Sequence, residues 1–400
     1  MIDAVIIESV RSPGGRYMRG GLASTRGEEI GIQVMQGLLR RVPTLKLEDV
    51  EDVICGCAYP EAEQGRNYGR IIAVGAGLPV STPGMIVNRF CSSGLQAIAD
   101  AAARIRSGWM DTIIAGGCET MSHVPMYGNL NRPLPDWKYD GSMPHSYISM
   151  GLTGEIVAEK YGISRTDQDR YAIESHRRAH EAMQEGRLKE EIIPIHAFRY
   201  TKSSDGKRVR ERFVFDRDDG VRWPTTMEDL AKLKSPFRKG GTVTAGNASQ
   251  MTDGAAFTLL MSAQKAINIG IQPLARLTHY AVVGCGPEEM GIGPALAIPK
   301  VLERAGLKTR DIDVFEINEA FASQVIYSIR AIGIEDRWTA GDVNPNGGAI
   351  ALGYPLGASG AKLTSHILRE LKRRKAKRGI ISMCIGGGMG AAGIIEMIYE

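Results

Sequence analysis

Residues 91–117, CSSGLQAIADAAARIRSGWMDTIIAGG, decide the fold. A Cys-Ser-Ser-Gly turn opens an alanine-rich helical stretch, which passes through a polar turn into an apolar β-type run ending in glycines. A helix feeding a buried strand is one unit of an α/β fold. Residues 357–388 repeat that order: Gly-Ala-Ser-Gly, a helical stretch, then GIISMCIGGG. Ahead of each unit stands a second related pair, LEDVEDVICGCA at 47–58 and KTRDIDVFEINEAF at 308–321. Two blocks recurring in the same order in the two halves predict a duplicated α/β unit.

Outward from this pair, the texture changes between about Thr120 and Gly246. Polar turns in NLNRPLPDWKYDGS, a helix from Thr166 through Glu185 and a charged hairpin from Phe198 to Arg217 read as an insertion into the first half. GNASQMTDG then leads back into a strand, AAFTLLM, and the second half begins near Ala275. The expected division is 1–119 and 247–274 for the first half, 120–246 for the insertion and 275–400 for the second half. Such a length exceeds one hydrophobic core.

The formal charge of +4 is small for 400 residues, and the densest basic run, Arg369 to Arg378, reads as a solvated helix end, so no nucleic-acid partner is expected. The opening MIDAVIIESVRSP reads as a first strand, lacking the pattern of a secretory signal. No window reaches the roughly 18 apolar residues of a membrane helix, so a cytoplasmic protein is expected. The six cysteines have neither C-x-x-C spacing nor a paired framework, so a metal site is not expected, and any important cysteine is a nucleophile or a core residue.

Four segments carry chemical signals. In VNRFCSSGLQA, Cys91 sits where a helix begins, and free backbone N–H groups there favour a thiolate or a developing oxyanion. On spacing alone Cys91 fits a buried structural cysteine equally well. Cys384 ends an apolar strand before three glycines, which admit a ligand or a second backbone. Gly388, Gly390 and Gly393 spell G-x-G-x-x-G, but strand-like sequence follows instead of the helix a dinucleotide motif needs. NEAFAS at Asn318 and NPNGGAIALGYPLGASG read as loops at strand ends, which commonly hold functional groups.

Together these segments resemble the thiolase family over essentially the whole chain. The resemblance implies a layered α-β-α-β-α body of two α/β halves with an inserted loop domain. It implies an acyltransferase that cleaves 3-ketoacyl-CoA with CoA through an acyl group on Cys91, as in fatty-acid β-oxidation. In the family's pattern Cys384 is the acid/base, Asn318 holds a water near the thioester oxygen, and the amides of Cys91 and Gly386 form an oxyanion hole. Arg222 would lie near the adenine of coenzyme A, Ser249 near the pantetheine, and Met150, Phe237, Ala245, Ala320 and Phe321 along the channel. Coenzyme A is then a co-substrate, with no tightly bound cofactor, and the implied assembly is a homodimer or homotetramer.

One residue departs from the family. Thiolases carry Gly-His-Pro where this chain has Gly353, Tyr354 and Pro355. A tyrosine hydroxyl can donate a hydrogen bond, but with a pKa near ~10 it is a poor base at neutral pH. Natural divergence, an introduced substitution, or a base supplied elsewhere would each account for it, His145 and His123 being the nearby candidates for the last. Ser149 stands where acetoacetyl-specific relatives often have histidine, which points toward the degradative branch. The alternatives are acetoacetyl-CoA synthesis and a non-catalytic acyl-CoA-binding subunit.

Overall fold

The computed structural model describes residues 3–126, 128, 136, 141, 143 and 145–399. Its strands are β1 (Ala4–Arg11), β2 (Gly15–Arg16), β3 (Asp52–Gly56), β4 (Met85–Val87), β5 (Thr112–Thr120), β6 (Ile195–Lys202), β7 (Arg208–Phe215), β8 (Thr252–Ser262), β9 (Ala275–Gly284), β10 (Val314–Ile317), β11 (Arg378–Ile385) and β12 (Met389–Met397).

The duplication is visible in strand order. The first half runs β1-β8-β5-β3-β4, and the second runs β9-β12-β11-β10, with Val343 forming a parallel bridge to Phe315 where a fifth strand would stand. In each half the first two pairings are antiparallel and the rest parallel. The halves join edge to edge through β1 and β9, paired at Ile6 and Ala275. The sheets therefore form one hydrogen-bonded surface.

Two helices, Ser93–Arg106 and Ser359–Arg374, lie in the central layer and contact strands of both halves. The Gly27–Arg41 helix covers the outer face of the first half, and the Gly293–Ala305 helix that of the second. This gives the expected α-β-α-β-α layering. A helix enclosed on several sides has little room for a polar face, which fits the burial of Ala101 and Ala102 and of most residues from Ser359 to Leu371. The two central helices meet through their first turns. A side chain at Gly360 would stand 2.2 Å from the Leu95 nitrogen, and one at Gly94 would stand 2.9 Å from the Gly357 carbonyl oxygen. Those glycines are the Gly of CSSG and the last Gly of GASG, so the repeated motif is the contact itself.

Residues 121–251 interrupt the first half between β5 and β8. They include a helix, Arg165–Gln184, and the β6–β7 hairpin. The turns expected over 129–142 fall largely outside the described residues. Within the basic run 369–378 the arginines are ion-paired, Arg369 with Glu8, Arg373 and Arg374 with Glu370, and Arg378 with Glu396, while Lys372, Lys375 and Lys377 are exposed.

Candidate active site

Cys91 stands in a single tight turn, Phe90–Ser92, that runs directly into the Ser93–Arg106 helix. Phe90 holds a φ of 43°, a left-handed conformation that costs an aromatic residue on the order of 1–3 kcal/mol. Side chains fix this turn. Ser93 Oγ donates to the Phe90 carbonyl at 2.6 Å, the Arg89 N–H donates to Ser93 Oγ at 2.9 Å, and the Phe90 N–H donates to Asn88 Oδ1 at 2.8 Å. The Cys91 sulfur is left at the positive end of the helix.

Cys384 is the penultimate residue of β11, fully buried. The glycines after it turn the chain sharply, with φ of 82° at Gly387 and 83° at Gly388. Asn318 follows β10; its N–H donates to the Ser382 carbonyl at 2.9 Å, which locks it beside the strand that carries Cys384. Tyr354 follows the short Ala349–Leu352 helix and is 5% exposed.

Cys91, Tyr354 and Cys384 belong to one buried cluster with Ala320, Phe321 and Leu356, and Met150 packs against it. Each half of the fold thus supplies one sulfur. Close packing of the loop 354–358 on the first half makes this meeting possible. The Gly357 carbonyl oxygen would lie 2.8 Å from a side chain at Gly56, 2.9 Å from one at Gly94 and 2.2 Å from one at Gly117. Three glycines therefore form its seat. Glu119, 1% exposed, binds the loop to the first half. It accepts from the N–H groups of Gly357 at 2.8 Å and Ala58 at 2.7 Å, and from Gln64 Nε2 at 2.9 Å. Burial raises its pKa against those donors.

The electrostatics of the three reactive groups follow from their depth. Burial pushes the Cys91 thiol above its ordinary pKa; the Tyr354 hydroxyl and the N–H groups of Gly386 and Cys91 itself pull it back. Cys384 lies well above the ordinary thiol range, through burial and then through the charge a Cys91 thiolate would place beside it. Tyr354 is likewise driven well above the tyrosine range by burial and by negative charge at either cysteine. Its hydroxyl faces Cys91 closely enough to favour the thiolate and lies beside the Asn318 amide, yet reaches full hydrogen-bond geometry with no described residue, and Asn318 Nδ2 is equally unmatched. Such contacts commonly tighten when substrate enters.

A cavity of about 420 Å³ opens onto Cys91 and is lined by Tyr59, Phe90, Met126, Met150, Leu356 and Gly386, among others. A larger one, about 900 Å³, lies between the β6–β7 hairpin and residues 183–192, away from both sulfurs and lined by no cysteine. The smaller cavity is the one that reaches Cys91.

The residues expected along a coenzyme A channel are spread over a wider area. Met150, Ala320 and Phe321 touch the cysteine cluster. The Ser249 N–H donates to the Ala320 carbonyl at 3.0 Å, and Phe237 packs so closely on Gly151 that a side chain there would overlap its ring. Ala245 is exposed, as is Arg222, which donates to Gln250 Oε1 at 3.1 Å. Neither alternative histidine lines the cavity: His145 is exposed, and His123 Nε2 lies 3.1 Å from the Ala23 carbonyl. Sequence reasoning missed Glu119 and the cavity walls Tyr59 and Leu356. Glu119 had one legible signal, a carboxylate inside the apolar run TIIAGGCET.

Comparison with known proteins completes the picture. Residues 4–264 match the family description "Thiolase, N-terminal domain", and residues 271–397 match "Thiolase, C-terminal domain". A 3-ketoacyl-CoA thiolase of Bacillus subtilis is 48% identical over 397 residues, covering 99% of this chain and 100% of that protein. The peroxisomal 3-ketoacyl-CoA thiolase A of Rattus norvegicus is 45% identical, covering 98% of this chain and 88% of that one. The crystal structure of the Bacillus anthracis acetyl-CoA acetyltransferase superposes with a TM-score of 0.87 at 38% identity, covering 100% of this chain and 99% of that one. Fold, duplicated topology, paired buried thiols and full-length similarity agree: the chain belongs to the thiolase family.

Proposed function

We propose that the protein is an acyltransferase that cleaves 3-ketoacyl-CoA with CoA, giving acetyl-CoA and a shortened acyl-CoA, as in fatty-acid β-oxidation. The observation that carries this reading is the meeting of Cys91 and Cys384 in one buried cluster beside an apolar cavity. The names of the relatives at 48% and 45% identity support it. In the reaction, the Cys91 thiolate adds to the 3-keto carbon, and the C2–C3 bond breaks. Its electrons pass to an acetyl-CoA enolate, which takes its proton from Cys384. Free CoA then gives its thiol proton to the Cys384 thiolate and displaces the acyl group from Cys91. The N–H groups of Cys91 and Gly386, which bear on the Cys91 sulfur, would steady the oxyanion on the acyl thioester, and Asn318, through a water, that on the keto oxygen. Coenzyme A serves as co-substrate, held by Arg222, Phe237, Ala245 and Ser249 of the 121–251 segment.

Tyr354 limits the rate. A neutral, buried phenol cannot take the Cys91 proton, so turnover runs through the small fraction of Cys91 that ionises unaided. Tyr354 also favours a second reading, a non-catalytic acyl-CoA-binding subunit. Intact-protein mass spectrometry after incubation with a 3-ketoacyl-CoA separates the two. The enzymatic reading requires an acyl adduct on Cys91 that disappears in Cys91→Ala; no adduct in the parent chain, or one that survives the substitution, overturns it.

A homodimer, or a tetramer built from it, is the assembly that fits. β4 is a sheet edge without a second described neighbour, flanked by exposed Ile71, Val74 and Val80. No described helix is long and apolar enough to cross a membrane, and we infer a cytoplasmic location.

A further inference from the structure

Lys362 lies on the Ser359–Arg374 helix, 6% exposed, outside the cysteine cluster. Its ammonium donates to the carbonyls of Leu352 at 3.0 Å and Gly353 at 2.7 Å. These are carbonyls at the end of the Ala349–Leu352 helix, acceptors that a helix cannot satisfy by itself. Gly353 has a φ of 85°, and a side chain there would lie 2.3 Å from Thr252 Oγ1. On the opposite side, the Tyr354 N–H is shared between the Gln250 carbonyl and Thr252 Oγ1, each at 2.9 Å. The peptide from which Tyr354 projects is thus gripped on both faces, and Lys362 supplies the carbonyl-side grip.

The ammonium feels the charge of a nearby buried ion cluster, while its hydrogen bonds go to the two carbonyls. Arg11 of β1 donates to both oxygens of Asp218, at 2.7 and 2.9 Å, and to Glu191 at 2.7 Å. His366 Nδ1, from the same helix as Lys362, stands 3.0 Å from Glu191. Glu316 and Glu319 face the group from the β10 side. Asp218 and Glu191 both belong to the 121–251 segment, so this segment, β1 and the central helix all bear on one ammonium. Burial lowers its pKa to about 8, with Arg11 adding to the shift and Asp218, Glu191 and Glu319 opposing it.

We propose that Lys362 is a positioning residue for the side chain at 354, and that the Arg11–Glu191–Asp218 cluster makes the pose of that loop depend on how the 121–251 segment is seated. The proposal rests on the thiolase reading of the loop but is tested without turnover. The Tyr354 hydroxyl favours the Cys91 thiolate, so its position is reported by the pH dependence of Cys91 alkylation with iodoacetamide in the full chain. Lys362→Met is expected to move the alkylation midpoint upward by about half a unit to one unit, slowing alkylation at pH 8 about threefold to tenfold. Tyr354→Phe should give the same shift, and the double variant no more than Tyr354→Phe alone, because the lysine acts through that hydroxyl. Lys362→Arg should stay within about twofold of the parent, since it keeps a charged donor.

An unchanged midpoint in Lys362→Met overturns the proposal, as does an equal additional shift in the Tyr354→Phe background or a failure of arginine to rescue. Should the methionine variant not fold, Lys362→Gln is read by the same criteria. Loss of the thiolase reading would appear separately, as absence of an acyl adduct in the parent chain.

Discussion

Tyr354→His is the substitution that weighs the missing base. At pH 7 a group with the ordinary tyrosine pKa near ~10 is in its basic form about one part in a thousand, whereas an imidazole near ~6.5 is basic for about three-quarters of the time. Burial places Tyr354 further from ionisation still. The exchange therefore raises the available base by a factor on the order of 10³. Because tyrosinate is intrinsically the stronger base, the expected gain in thiolysis at pH 7 is about 10²- to 10³-fold, within the usual range for general-base catalysis. A hundredfold corresponds to roughly 2.7 kcal/mol off the barrier. The assay is the initial rate of acyl-CoA formation from a 3-ketoacyl-CoA and CoA, taken from pH 6 to 9. The parent rate should climb about tenfold per pH unit through neutrality as Cys91 ionises unaided, whereas the variant should level off once its imidazole is neutral. A gain below about fivefold, in a folded variant that still acylates Cys91, would refute the reasoning.

Two further outcomes test the surrounding architecture. His176 is 2% exposed and accepts the Arg222 N–H at 3.1 Å, and burial, then the Arg222 charge, lowers its pKa to about 4. Its unfolded value is near ~6.5, so as pH falls from there to 4 the unfolded chain binds the proton first and stability is lost; denaturant titration of parent against His176→Gln should show their difference changing by about 3 kcal/mol over that window, with the parent losing more. Gly117→Ala places a methyl group 2.2 Å from the Gly357 carbonyl oxygen, and should cost about 1–3 kcal/mol as overpacking while depressing Cys91 acylation more than CoA affinity; equal losses in both would argue against a loop-seating role.

The duplication was legible because two short motifs recur in order, and the structure repeats their strand pairings. Cys91 was ambiguous on spacing alone. What the structure adds is a second thiol arriving from a strand almost three hundred residues away, which is not a local property. Tyr354 was legible as a departure, but its consequence depends on depth: the same residue in a solvated loop would keep an ordinary pKa. Lys362 stayed hidden, and Glu119 showed only as a carboxylate in an apolar run, because each acts on backbone carbonyls or amides, and backbone groups leave no trace in residue identity. The coenzyme A positions were read from resemblance alone, and in the absence of ligand Ala245 and Arg222 lie on the surface.

The edge-to-edge joint between β1 and β9 has a consequence for assembly. Each half contributes its own run of strands and one of the two clustered thiols, so the pair exists only where the two halves are joined. Cut in the short connection between β8 and β9, the protein would become a complementation system, silent as separate pieces. Alkylation or acylation of Cys91 would then report the moment at which the two sheets zip together.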